Sequence, residues 1–232
     1  EPAQDSVSGY PSRQQRRPEP VKHRLILADD HEITIEGLRR ILEPEFEISA
    51  TAGNGRALLA GIETLKPEVA VVDIAMPLLN GLDALIQSIK AGYRTRFVFL
   101  TGSQDIALAT QAFRLGASGY VLKHAAAEEL IVAIDAALDG RTYITPRIAK
   151  EVLQNLMTRP SDEAGAGLTD RQREVLQLLA EGMIVKEIAA VLNVSPRTVE
   201  FHKSNIVART GLHTTAELAR YAARNGLVSD PA

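Results

Sequence analysis

Two adjacent carboxylates, Asp29 and Asp30, close the apolar run RLILA at residues 24–28. Like charges side by side at the end of a core element repel, and nothing in the local sequence supplies a cation to offset them. Three more polar residues end or follow hydrophobic runs in the same way: Asp73 after VAVV, Thr101 after RFVFL, and Lys123 after GYVL. Three carboxylates, a hydroxyl and an ammonium become mutually consistent around a hard divalent cation and a phosphoryl group. The cation this set asks for is Mg2+. Taken singly, each residue is an ordinary turn or cap residue, and Asp29 or Asp30 could cap a helix beginning near Glu32. Their coincidence at four strand ends is what points to chemistry.

Those strand ends share an edge only if the fold puts them there. Residues 24–28, 46–52, 69–73, 96–101 and 119–122 have β-type composition, and amphipathic runs lie between and after them at 32–42, 55–65, 82–90, 105–115 and 127–138. Five βα units predict an α/β domain built on a doubly wound five-stranded parallel sheet, spanning residues 23–140. Ligands of such sheets bind outside the carboxyl ends of the strands, where the strand order reverses. Before this domain, residues 1–22 are rich in Pro, Ser, Gln and Arg and predict a disordered tail. After it, residues 141–167 predict a connector helix, with Thr145 as N-cap and Pro146 at the first helical position, followed by a flexible linker. From 168 to 232 the pattern is all helical.

Bulk composition narrows the classes. At 232 residues the chain suits two domains, and no apolar run approaches the roughly 20 residues that cross a bilayer. The absence of cysteine removes disulfide frameworks, thiolate zinc sites and cysteine nucleophiles. No signal-peptide pattern opens the sequence, so a cytoplasmic setting is expected. A net charge of -3 decides nothing about nucleic acid, because a small basic face is hidden in the total.

In NVSPRTVEFHKSNIVARTGL, residues 193–212, Ser195 is a good N-cap, Pro196 suits the first helical position, and Gly211 stops the helix. Val199, His202 and Ile206 share one face, leaving Arg197, Glu200, Phe201, Ser204 and Ala208 on the other. The preceding VKEIAAVL is a shorter helix whose Ile188, Ala189 and Leu192 pack against it. Together they form a helix-turn-helix within a four-helix domain.

The series ADDH, VVDIAMP, FLTG and GYVLK resembles the receiver domain of two-component response regulators, and the helical region is similar to the LuxR-type DNA-binding domain. The pair resembles a NarL/FixJ-type response regulator. The resemblance implies that Asp73 is the phosphoacceptor, that Asp29, Asp30, Asp73 and the backbone carbonyl of Ala75 hold Mg2+, and that Lys123 and Thr101 engage the phosphoryl oxygens. It makes Thr101 and Tyr120 a switch pair, the Tyr120 ring turning inward as Thr101 moves toward the phosphate. It places Arg197, Thr198, Phe201, Lys203 and Ser204 nearest DNA, with Lys186 and Arg209 available for phosphates. The implied partners are a sensor histidine kinase, a two-fold symmetric double-stranded operator and a second copy of the chain when phosphorylated; no membrane is involved. Leu218, Tyr221 and Ala222 resemble the family's dimer contact. Departures from the family pattern are Ile184 and Val185 for Ser and Asn, Thr210 for Leu, and Ala126 and Ala127 for Ser and Pro; Met183, Ile184 and Val185 could form an apolar patch for a partner or the receiver. A Mg2+-dependent phosphohydrolase is the competing reading, but Ala75 stands where such enzymes carry a second Asp, so no turnover enzyme is expected. A regulator of the same fold that works without phosphorylation is the other alternative.

Overall fold

The computed structural model describes residues 22–124, 127–157 and 167–228. The expectations for most of the tail, for most of the linker and for Ala126 fall outside these residues.

The N-terminal half alternates β1 (Arg24–Ala28), α1 (Glu32–Leu42), β2 (Glu47–Ala52), α2 (Gly55–Leu65), β3 (Val69–Val72), α3 (Gly81–Lys90), β4 (Arg96–Thr101), α4 (Ile106–Arg114), β5 (Gly119–Leu122) and α5 (Ala127–Leu138). The strands pair in parallel in the order β2-β1-β3-β4-β5-β6. The sheet therefore has six strands, one more than predicted. The additional strand, β6 (Tyr143–Ile144), has two residues, too few to show any alternation, and pairs with Gly119 and Tyr120 of β5.

Because strand side chains alternate, each strand feeds two cores. Leu25, Leu27, Val69 and Val71 pack with Leu38 and Leu42 of α1 and with Leu130 and Ile134 of α5. Ile26, Ala28, Ala70 and Val72 pack on the opposite face with α2, α3 and α4. The same second core takes in α6 (Pro146–Met157) through the buried Ile148 and Val152, so the connector helix is joined to the receiver half by apolar packing. Thr145, the expected cap of α6, is buried and its hydroxyl accepts from the Leu122 amide instead.

The C-terminal half consists of α7 (Asp170–Ala180), α8 (Val185–Leu192), α9 (Pro196–Thr210) and α10 (Thr215–Arg224) around a third core. Thr169 and Thr214 cap α7 and α10, and each forms a reciprocal pair with the residue three positions on, Gln172 and Glu217. Helix α8 keeps only half of such a box: Glu187 accepts from the Ile184 amide at 2.9 Å, while the Ile184 side chain has no acceptor to offer. Asn193 leaves α8 in the left-handed region at φ 51°, and Ser195 caps α9 by accepting from Thr198 N at 3.1 Å.

Candidate functional site

The chain reverses direction across the sheet between β1 and β3, and Asp29 and Asp73 are the residues that follow those two strands. Both are nearly buried, at 3% and 6% exposure. Thr101 closes β4, and Lys123 follows β5, its amide donating to the Thr101 carbonyl at 2.8 Å. The expected edge is thus assembled from the ends of four strands.

The cation that the local sequence lacked arrives from β5. Lys123 Nζ lies 2.7 Å from Asp29 Oδ2 and 2.6 Å from Asp73 Oδ2. Burial pushes the Asp73 carboxyl above its ordinary range and Asp29 adds to this, against the opposing pull of Lys123. Burial alone would lower the Lys123 ammonium, yet its bonds to the two carboxylates raise it. Asp73 Oδ1 accepts from the Ile74 amide at 2.7 Å, which fixes the carboxylate plane.

His31 is a member of this cluster that received no role from the sequence. Its amide donates to Asp29 Oδ1 at 2.9 Å, and its ring Nδ1 stands 3.1 Å from Asp29 Oδ1 and 3.0 Å from Asp30 Oδ1. His31, not either aspartate, occupies the N-cap of α1. Asp29, Asp30, His31 and Asp73 each present a donor atom within 4.8 Å of the others. Among these, the carboxylate oxygens are the donors that Mg2+ takes, and the Ala75 carbonyl belongs to the loop leaving Asp73, so the residues fit that ion.

Tyr120 is fully buried, and its hydroxyl donates to the Ser103 carbonyl at 3.2 Å while Thr101 Oγ1 accepts from Ser103 N, also at 3.2 Å. The ring is therefore in the inward position. Burial, with the Asp105 charge next in size, raises the Tyr120 phenol well above its usual range.

The loop from Ile74 to Asn80 runs from the acid cluster to α3 and is built on close approaches. A Cβ on Gly81 would lie 2.4 Å from the Asp73 carbonyl oxygen, and one on Gly55 would lie 2.2 Å from the Leu79 carbonyl oxygen. Leu78 takes the left-handed region at φ 66°. Its amide donates to the Glu181 carboxylate at 3.1 Å, and its side chain packs on the C-terminal core. Gln177, fully buried on α7, accepts from Asn80 N at 2.9 Å and donates to the Met76 carbonyl at 2.8 Å. Arg173 Nε donates to Asp83 Oδ1 at 2.7 Å, and Gln87 donates to Glu174 at 2.8 Å. Arg173 and Gln177 of α7 and Glu181 at its C-cap, spaced four apart, form a polar stripe that grips this loop and α3. These residues were missed by the sequence reading: only Gln177 is buried, Arg173 is half-buried and Glu181 exposed, and no local signal separates such a stripe from a solvated helix face.

The recognition elements lie away from that contact. Val199 and Ile206 are fully buried, whereas Arg197, Glu200, Phe201 and Ser204 are exposed, as the periodicity predicts. Lys186 is exposed and Lys203 half-buried. Two expected DNA contacts are already engaged: Thr198 Oγ1 shares a hydrogen bond with Ser195 Oγ at 2.8 Å, and Arg209 donates to the Gly167 carbonyl. His202 packs beside Phe201, and its Nδ1 has no hydrogen-bond partner among the described residues. Of the expected apolar patch, Met183 and Val185 pack on the domain's own core and Ile184 is exposed. Leu218 and Ala222, expected at a dimer contact, are buried in that same core with Tyr221 packed against it.

Residues 25–135 match the response regulator receiver domain, and residues 166–222 match the bacterial regulatory proteins of the luxR family. The transcriptional regulatory protein UhpA of Escherichia coli K12 is 38% identical over 84% of this chain and 94% of its own length. The RcsB response regulator of Salmonella typhimurium, described in terms of conformational dynamism for DNA interaction, superposes with a TM-score of 0.59 at 28% identity, over 88% of this chain and 98% of that one. RcsB bound to the promoter P1flhDC in the presence of the phosphomimetic BeF3- gives 0.56 at 27% identity, over 90% and 100%.

Proposed function

The chain belongs to the two-component response regulators of NarL/FixJ type, a receiver domain joined to a LuxR-type DNA-binding domain, and on that premise we propose that phosphorylation of Asp73 by a sensor histidine kinase controls its action on DNA. The observation that carries this reading is the pairing of Asp73 with Lys123 at 2.6 Å beside the carboxylates of Asp29 and Asp30.

Asp73 acts as a carboxylate nucleophile: one of its oxygens bonds to phosphorus as the bond from phosphorus to the donor's leaving group breaks. The Ile74 amide holds Oδ1, which leaves Oδ2, on the Lys123 side, as the oxygen aimed at the incoming group. Lys123 then neutralises charge on the transferring oxygens, and the Thr101 hydroxyl donates to one of them. Bound Mg2+, held by Asp29, Asp30, Asp73 and the Ala75 carbonyl, would supply further charge neutralisation at the same oxygens. The product is an aspartyl phosphate. Ala75 offers no acid to protonate a leaving group, so the reaction is a switch and not a turnover.

The output is a population shift. Loop 74–80 joins Asp73 to the residues that Gln177 and Glu181 hold, so a phosphoryl group on Asp73 biases the docked arrangement of the two halves. Helix α9 then enters the major groove through Arg197, Phe201, Lys203 and Ser204, with Lys186 on the backbone; a pair of chains reads a two-fold symmetric operator. Sedimentation velocity with Mg2+ tests the pairing: a dimer that forms with beryllofluoride and is lost in Asp73→Asn supports it, and an unchanged mass in every sample refutes it.

A further inference from the structure

Arg220 and Arg224 lie one turn apart on α10, are exposed, and make no hydrogen bond or ion pair among the described residues. Exposed arginines elsewhere are of both kinds: Arg39, Arg40 and Arg141 each meet a carboxylate, while Arg94, Arg147 and Arg197 make no such pair among the described residues. What sets Arg220 and Arg224 apart is where they stand. The two free guanidinium groups line a cleft of about 760 Å3 whose other wall carries Asp73, Thr101 and Lys123. Their position does not depend on pairing with that wall. It is set by the α7 stripe and by the turn after α10, where Gly226 packs so closely on Leu108 that a Cβ would meet its Cδ1 at 2.4 Å.

Guanidinium groups are suited to phosphate oxygens, and a phosphoryl group brings about two negative charges and three acceptor oxygens where Asp73 now has one charge. Resting on the reading of Asp73 given above, we propose that Arg220 and Arg224 complete a composite phosphoryl site, so that the DNA-binding domain senses the group on Asp73 by direct contact. Lys123 and Thr101 approach it from the receiver, and the two arginines from α10. The consequence has a sign: in the docked chain the phosphoryl group draws α10 toward the cleft and strengthens the association of the halves, while the exposed recognition face of α9 remains open to solvent.

The test is a 19F NMR titration of the full chain with beryllofluoride in excess Mg2+. Affinity is compared between the unaltered protein, the double variant Arg220→Ala, Arg224→Ala, its counterpart Arg220→Lys, Arg224→Lys, and Asp73→Asn. Loss of two charge-assisted contacts at a solvent-facing cleft is expected to weaken beryllofluoride by about tenfold, with partial recovery in the lysine variant and no binding in Asp73→Asn. Both arginines are exposed, so unchanged thermal unfolding of the variants accompanies the expected result. Equal affinity in the alanine variant overturns the proposal alone, and so does equal affinity combined with weakened DNA binding, which would assign the pair to DNA phosphates. No binding by the unaltered protein overturns the reading of Asp73 together with it.

Discussion

Replacing Arg173 with alanine should undock the two halves without unfolding either. The Asp83 side chain is only 3% exposed, and its salt bridge is to Arg173. Without the guanidinium it keeps a hydrogen bond from Asn80 Nδ2 at 2.9 Å and little else to offset its burial. Removing one partner of a buried pair costs roughly 3–5 kcal/mol. Protonation relieves part of this, since burial already holds the Asp83 carboxyl above its ordinary range. The lower figure, about 3 kcal/mol, corresponds to a shift of about 100-fold in the docking equilibrium. Hydrogen exchange reads the shift residue by residue. The amides of Leu78 and Asn80 donate across the contact to Glu181 and Gln177, whereas the Gly81 amide donates to Ile74 O within the receiver at 2.8 Å. Protection should fall about 100-fold at Leu78 and Asn80 and be retained at Gly81. Unchanged protection at the first two would refute the account of the contact. Equal loss at Gly81 would show that the loop unfolds and that the halves do not simply part.

Other expectations follow from the same structure. Gly81→Ala forces a Cβ to within 2.4 Å of the Asp73 carbonyl oxygen, so it should cost about 1–3 kcal/mol in chemical denaturation and slow phosphorylation of Asp73 by a small phosphodonor. Ile206→Ala empties a fully buried position in the third core and should destabilise the C-terminal domain by about 2–5 kcal/mol, lowering DNA affinity only through folding; an unchanged unfolding midpoint contradicts the packing described. Glu217 accepts from the backbone amides of Thr214 and His213, which hold its carboxyl below the usual range. A depressed carboxyl contributes stability that is present above the free value of 4.5 and lost as pH falls through the folded one, so amide protection at His213 and Thr214 should decline on acidification below that point. Glu217→Gln should remove this pH dependence.

Much of the site was legible because its residues sit where strand composition ends. Asp73, Thr101 and Lys123 each close or follow an apolar run, and a parallel sheet brings such ends to one edge whatever the loops do. The recognition helix was equally legible, since Ser195, Pro196 and Gly211 mark its ends and Val199 and Ile206 its buried face. Strand β6 was not, because two residues carry no period. The part played by Lys123 as the resident cation of Asp29 was hidden by 94 residues of separation, and only the sheet order joins them. The polar stripe of α7 was hidden for a different reason. Arg173, Gln177 and Glu181 look like a solvated helix face, and nothing local says that a second domain will cover it. Leu218 and Ala222 show the opposite error, apolar residues suited to a partner that are spent on the domain's own core.

The central claim is that Asp73 accepts a phosphoryl group within a cluster built for it. The most direct test incubates the full chain with Mg2+ and acetyl phosphate and locates the modified residue by mass spectrometry, with Asp73→Asn alongside. The account predicts a single phosphoryl group on Asp73 and none on the variant. No modification of the unaltered protein, or an equal gain in the variant, would contradict it.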